Sequence, residues 1–233
     1  MKRYLLILIG LLMCMGLSAQ KRKVQNRPYI DQRRLHYGFF IGVHAMDLEF
    51  ENNGFITEDG ESWFADVGEY TPGFTVGVLA DLYMTPHLSF RVQPSLYFGQ
   101  RNITFHEQHS HEEYRQVMKS TLLGVPLNIK FSAPRFNNHR PYIVAGINPT
   151  LSLTTKDRQA LLLKRWNCYI EAGLGCDFYL PFFKLIPELK FCFSLTDLLE
   201  KDRSDLTDKS LLKFTQSINH TYSKMVMLTF YFE

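Results

Sequence analysis

From Trp166 to Leu180 the chain reads WNCYIEAGLGCDFYL, and its residues alternate without interruption. Trp166, Cys168, Ile170, Ala172, Leu174, Cys176, Phe178 and Leu180 make one set; Asn167, Tyr169, Glu171, Gly173, Gly175, Asp177 and Tyr179 make the other. A period of two is the signature of an extended strand, whose successive side chains point to opposite faces. Past Pro181 the pattern resumes, with Phe183, Leu185, Leu189, Phe191 and Phe193 against Lys184, Glu188, Lys190 and Ser194. The charges of this stretch therefore share one face of two strands.

Six further runs show the same period. They start at Leu35, Phe74, Leu88, Leu123, Ile143 and Val226, and each sets Leu, Ile, Val and Phe against Gly, Ser, Thr, Asn and Tyr. Connections alternate as well. Thr85-Pro86-His87, Pro181-Phe182 and APRFNNHR are short, whereas Glu49 to Pro72, Gln100 to Val117, Thr155 to Arg165 and Thr196 to His220 read as long polar loops. The pattern predicts an all-β fold: an eight-stranded antiparallel transmembrane β-barrel of the outer membrane, with short periplasmic turns and long extracellular loops.

A soluble eight-stranded barrel alternates too, but its polar face meets water and carries many Lys and Glu. Here the polar face is mostly small or neutral, which suits a narrow interior filled by side chains. Ten residues at about 3.4 Å rise and 45° tilt span about 24 Å, close to the apolar band of such barrels. A one-residue slip of the Trp166 run would put Glu171 and Asp177 into lipid, where a charge costs up to a few kcal/mol near the midplane, so register is strongly specified.

The N-terminus has the layout of a secretory signal peptide over residues 1–19: Lys2 and Arg3, an apolar run from Tyr4 to Leu12, then Gly16, Ser18 and Ala19. A lipoprotein reading of Cys14 is weaker, because Met13 stands where a small residue is wanted. Residues 20–34 are basic and aperiodic and read as a flexible periplasmic segment; residues 35–233 form the barrel. A net charge of +3 argues against nucleic acid as a partner. Cys168, Cys176 and Cys192 are an odd set, and the first two, eight positions apart on one strand, cannot bridge. They read as small apolar residues.

Candidate chemistry lies in three places. The first is the inner face, where Asp81, Arg91, Lys130, Glu171, Asp177, Glu188 and Lys190 form opposite charges on neighbouring strands. A turn at Pro181-Phe182 brings Lys190 diagonally close to Glu171, and one at Pro86 sets Asp81 across from Arg91. A lumenal, structural ion-pair network is the favoured reading over an ion path or acid–base pair. The second is FHEQHSHEEY, where His106, His109, His111, Glu112 and Glu113 match no strong zinc spacing. The third is the first long loop, whose Trp63, Phe64 and Tyr70 either anchor a partner or fold the loop onto the rim. Ser62, Ser110 and Ser217 are loop serines without a nucleophile motif, so a rim hydrolase is disfavoured.

The strings GCDFYLPFFKLIPELKF, SLTDLL, RPYIVAGIN, LHYGFFIGV and the ending LTFYFE together resemble the PorT family, from about Leu35 to Glu233. The resemblance implies an outer-membrane barrel component of the type IX secretion system of Bacteroidota, which exports proteases and adhesins. It implies no enzyme activity and no cofactor or metal. The implied partners are other secretion-system proteins of the outer membrane and periplasm, beside the lipid bilayer, with no small-molecule substrate. The alternative is a small adhesin or receptor-like barrel unrelated to secretion.

Overall fold

The structure, a computed structural model, describes residues 24–57, 60–69, 71–108, 112–154, 160–203 and 209–233. The expected signal peptide, Tyr70, His109, Ser110 and His111 lie outside the described residues. Eleven strands follow one another: β1 (Leu35–Asn52), β2 (Trp63–Glu69), β3 (Pro72–Tyr83), β4 (Leu88–Val92), β5 (Ser95–Glu107), β6 (Glu113–Gly124), β7 (Leu127–Ser132), β8 (His139–Ser152), β9 (Trp166–Tyr179), β10 (Lys184–Ser194) and β11 (Ile218–Phe232). Every pairing is antiparallel, and β11 returns to β1, with Phe39 opposite Phe232 and Val43 opposite Leu228. The sheet closes on itself through β8 and β9 and through β1 and β11, with β2 added to β5 at the top.

The eleven strands make eight spans. β4 and β5 keep one register against β3, with Ala80 opposite Val92 and Gly77 opposite Ser95. Pro94 separates them because it has no N–H to give the ladder. Its carbonyl still accepts the Val78 N–H at 3.1 Å. Pro126 divides β6 from β7 in the same way, and its carbonyl accepts the Gln93 N–H at 3.0 Å. β2 continues β3 above the membrane, both lying against β5, with a register shift between Val67 and Glu69.

The faces fall as the alternation requires. Phe39, Ile41, Val43, Val78, Ile129, Ile143 and Leu174 are exposed on the outside, where lipid solvates them. Asp81, Arg91, Lys130, Glu171, Asp177, Glu188 and Lys190 are all buried inside. Gly175 is needed at one close approach: a Cβ there would collide with the phenol of Tyr142, which crosses the lumen at that level.

Two expectations are corrected. The segment Gln100 to Val117 is not a long loop: β5 and β6 stay paired as far as His106 opposite Glu113. β1 likewise runs 18 residues, where roughly ten suffice to cross at 45°. Alternation persists above the membrane but with its polarity reversed. Ile103 and Phe105 point inward and are fully buried, while His106 points outward to water. A search for apolar outer faces reads such a stretch as loop.

The second correction concerns the lead-in, which is tied down over residues 24–34. Ile30 is buried, Asn26 bonds Asn138 Oδ1 and the Tyr179 carbonyl at 2.9 Å each, and the Tyr179 hydroxyl donates to Asp31 at 2.6 Å. The Arg135 guanidinium stacks 3.6 Å over the Tyr179 ring and donates to the carbonyls of Asn26 and Arg27. A segment with no periodicity is held here by hydrogen bonds and charge, which leave no hydrophobic pattern in sequence.

Candidate functional site

The lumen is filled in layers. Nearest the short-turn end, Asp177 accepts from Lys130 at 2.9 Å and pairs with Lys184 at 3.4 Å; Lys184 pairs with Glu233 at 3.1 Å, and Glu233 with His36. One layer up, the fully buried Arg91 binds Asp81 through Nε and Nη2 at 3.1 and 3.0 Å, and Glu188 through Nη1 at 2.9 Å. Lys190 then bridges Glu188 at 3.6 Å and Glu171 at 3.3 Å.

All seven sequence-predicted lumenal charges are thus brought together, in two linked chains. Asp81 lies directly opposite Arg91 in the sheet. Lys190 faces Gly173, which places Glu171 on the diagonal. Tyr142 joins the chains: its hydroxyl donates to Glu188, and the Lys130 ammonium lies 4.0 Å from the centre of its ring.

Neutral side chains bind further oxygens of Glu188 and Glu171, while Asp81 Oδ1 has no hydrogen-bond partner. Tyr231 donates to Glu188 at 2.7 Å, Asn148 to Glu171 at 2.7 Å and Asn128 to Glu171 at 3.3 Å. Gln93 accepts from Lys190 at 2.9 Å and donates to Tyr231 at 3.0 Å. A buried charge is tolerated only when paired and hydrogen-bonded, and here each is paired with at least one opposite charge. Sequence reasoning missed Lys184, Glu233, His36, Tyr142 and Tyr231 as members. Inner-face parity is the signal that would have found most of them.

Above the charges sits an apolar layer of Met46, Tyr97, Leu122, Tyr169, Cys192, Met225 and Met227. Above that, the long-loop end is closed by a hydrophobic cap. Leu48, Trp63, Ala65, Ile103 and Phe105 supply the inner wall of the tall strands. Ala160, Leu161, Leu198, Leu199 and Phe214 enter from the loops, Phe214 on the short helix α1 (Leu212–Gln216).

Trp63 is 4% exposed, with its ring edge-on to Phe214 at 5.0 Å between centroids. Its indole N–H donates to Glu61 at 2.8 Å, and Lys213 bonds the same carboxylate at 2.7 Å. Those hydrogen bonds, Lys213 first and Trp63 second, hold the Glu61 carboxyl below the usual glutamate range. Of the two readings of Trp63, the geometry is that of rim packing. Phe64 is half-buried on the outer side, opposite His106. The exposed apolar residues of this loop are Phe55 and Ile56.

The remaining candidates are scattered. His106 pairs with Glu113 at 3.5 Å, and Glu112 is exposed. Among the described residues no three His, Cys, Asp or Glu converge on a point where a metal could sit. Ser217 is buried and donates to the Phe214 carbonyl at 2.9 Å, and Ser62 is buried beside Trp63. Cys168, Cys176 and Cys192 are free thiols. Near the cap, Asp197 is partly buried, which raises its carboxyl, yet backbone N–H groups of Thr221 and Leu199 and the His220 ring hold it below the ordinary range.

The closed eight-span ring, lipid-facing outside and charged inside, defines an outer-membrane β-barrel. The sequence agrees: residues 18–200 match the family described as "Outer membrane protein beta-barrel domain", and the chain belongs to it. No curated protein matches. Among solved structures, OprG from Pseudomonas aeruginosa is 11% identical, with 85% of this chain and 92% of that one covered and a TM-score of 0.43. Neisserial surface protein A is 10% identical, with 85% and 98% covered and a TM-score of 0.42. Ail of Yersinia pestis, solved with the heparin analogue sucrose octasulfate, is 13% identical, with 84% and 96% covered and a TM-score of 0.37. These likenesses are loose; the assignment rests on the ring and the family match.

Proposed function

We propose that this protein is a non-enzymatic component of the type IX secretion system, needed for export of proteases and adhesins, and that it works by protein contacts. The resemblance of GCDFYLPFFKLIPELKF, RPYIVAGIN and LTFYFE to the PorT family supplies the pathway. The observation that carries the mode of action is the filled lumen. Eight spans leave an interior only wide enough for side chains, and here Arg91 and Lys190 cross it fully buried. A barrel so plugged offers its partners two ends and a lipid-facing wall, not a conduit. At the periplasmic end the docked segment from Asn26 to Asp31 and the short turns form one surface. At the other end the tip with Phe55 and Ile56 is exposed, on the segment that leads to Phe64.

A deletion strain tests the pathway. Secreted proteases held inside the cell, restored by the wild-type chain, are the expected result. Normal export with loss of surface attachment would instead support the adhesin-like alternative. The double substitution Phe55→Ser with Ile56→Ser, in a barrel that still assembles, tests the loop contact.

A further inference from the structure

One more cation stands in the lumen above the ion network. Arg101, on the inner face of β5, is 5% exposed and has no carboxylate at ion-pair distance among the described residues. Its Nη2 reaches only Met46 Sδ at 3.2 Å and Ser223 Oγ at 3.4 Å, and its Nε has no hydrogen-bond partner. Asn167 on β9 is 8% exposed. Its Oδ1 accepts from the Cys168 N–H and from the hydroxyls of Ser194 and Thr196, which fixes the amide orientation. Its Nδ2 is left without a partner. Arg101 and Asn167 both line the same cavity. Leaving a guanidinium and an amide donor buried and unpaired is costly, and an acceptor between them would remove that cost.

The cavity suits an oxyanion. Its volume is about 40 Å³, room for about three waters by the measure in which one water needs about 10–15 Å³. That is the space of one tetrahedral oxyanion. Ser120, Thr150 and Ser152 line it, Lys119, Lys164 and Arg165 stand at its exposed rim, and among the described residues no Asp or Glu lines it. Among the described residues the ladder is incomplete beside it. β8 ends at Ser152, and the last ladder bonds join Leu153 N–H to Thr121 O at 2.8 Å and Thr121 N–H to Thr154 Oγ1 at 2.7 Å. Above that point the edge of β6 meets the segment Ala160–Arg165, which Gln116 clasps through both its amide atoms to Leu161. Trp166, 69% exposed on the outer face next to this gap, marks the height of the membrane interface.

We infer that the cavity between β6, β8, β9 and residues 160–165 is an anion site, which takes a phosphate group through the Arg101 guanidinium and the Asn167 amide. The group comes from the head of an outer-leaflet lipid, entering beside Trp166, or from free phosphate.

The test uses the full mature chain, refolded in uncharged detergent and followed by phosphorus NMR and by thermal unfolding. One arm adds inorganic phosphate, a second adds micelles doped with phosphatidic acid, and a third adds the same micelles with an uncharged diacylglycerol. Saturable binding in the first or second arm, but not the third, is expected, and whichever arm binds more tightly identifies the source. Arg101→Gln should weaken binding at least tenfold. Arg101→Lys should recover part of that loss, while Lys119→Gln with Arg165→Gln should weaken binding only a few-fold. If Arg101→Gln does not refold, Asn167→Asp, which sets a carboxylate in the cavity at constant shape, must abolish binding. Absence of binding at millimolar concentration in the first two arms, or affinity unchanged in Arg101→Gln or Asn167→Asp, would overturn the inference.

Discussion

The lower and upper halves of this molecule solve the same packing problem with opposite materials. Within the membrane the outer face is apolar and the inner face holds Arg91, Glu188, Lys190 and Glu171 in mutual contact. Above it, the same strands turn Ile103 and Phe105 inward and build an ordinary hydrophobic core with Trp63 and Phe214. The backbone and its alternation do not change; the solvent outside does. Lipid removes the drive to bury apolar groups inside, so the lumen is filled by pairs whose strength depends on exclusion of water. Water restores that drive, and the cap obeys it. The two halves should therefore fail differently.

The largest effect is expected in the lumen. Arg91→Met leaves Asp81 and Glu188 without their main partner, and removing one member of a buried pair costs about 3–5 kcal/mol. Urea unfolding in lipid vesicles should show the whole barrel destabilised, with Trp63 and Trp166 emission shifting together. Separate transitions for the two would break the comparison, because they would make the lumen a local feature.

The next effect belongs to the cap. Trp63→Ala empties a buried site next to Phe214, and large-to-small changes of this kind cost about 3 kcal/mol or more. Hydrogen exchange should quicken in β2, α1 and residues 160–163 while β9 and β10 keep their protection. Loss of protection throughout would show that cap and lumen are one cooperative unit.

The smallest effect is a pH dependence confined to the cap. Glu61 is held below the ordinary glutamate range by Lys213 and Trp63. A lowered folded pKa gives stability that is present above the unfolded value and is lost as pH falls through the folded one. Trp63 emission should therefore change on acidification below the ordinary glutamate value of 4.5, and Glu61→Gln should remove that change. Because Glu61 lies at the surface, global stability should move little.

What the sequence disclosed follows the same division. The eight spans, their register and the inward set from Asp81 to Lys190 were legible because lipid enforces one period and one polarity along ten residues. The breaks at Pro94 and Pro126 were not, since a missing N–H interrupts a ladder without disturbing alternation. The upper strands were hidden because Ile103 and Phe105 sit on the parity that is polar below. The aromatic ring of Trp63 fits either a partner anchor or a loop folded onto the rim; its place in the cap depends on Phe214, about 150 residues away in the chain and invisible to local pattern. Arg101 escaped notice because it fell in a stretch read as loop.

The pairing of β1 with β11 also has a consequence for how the barrel is made. Phe39 meets Phe232, and His36 meets Glu233, so the seam joins the first and last strands of the barrel. β2 waits only for β5, and β3 to β11 each pair with a neighbour already synthesised, but one edge of β1 must wait for β11. Contacts of such large sequence separation form slowly, and until then β1 keeps an unpaired edge of backbone donors and acceptors, a template for wrong partners. Assembly should thus be governed by its final step. A chain that stalls before β11 presents an adhesive strand to the cell, and quality control acting on that strand would discard it before the barrel could be mistaken for finished.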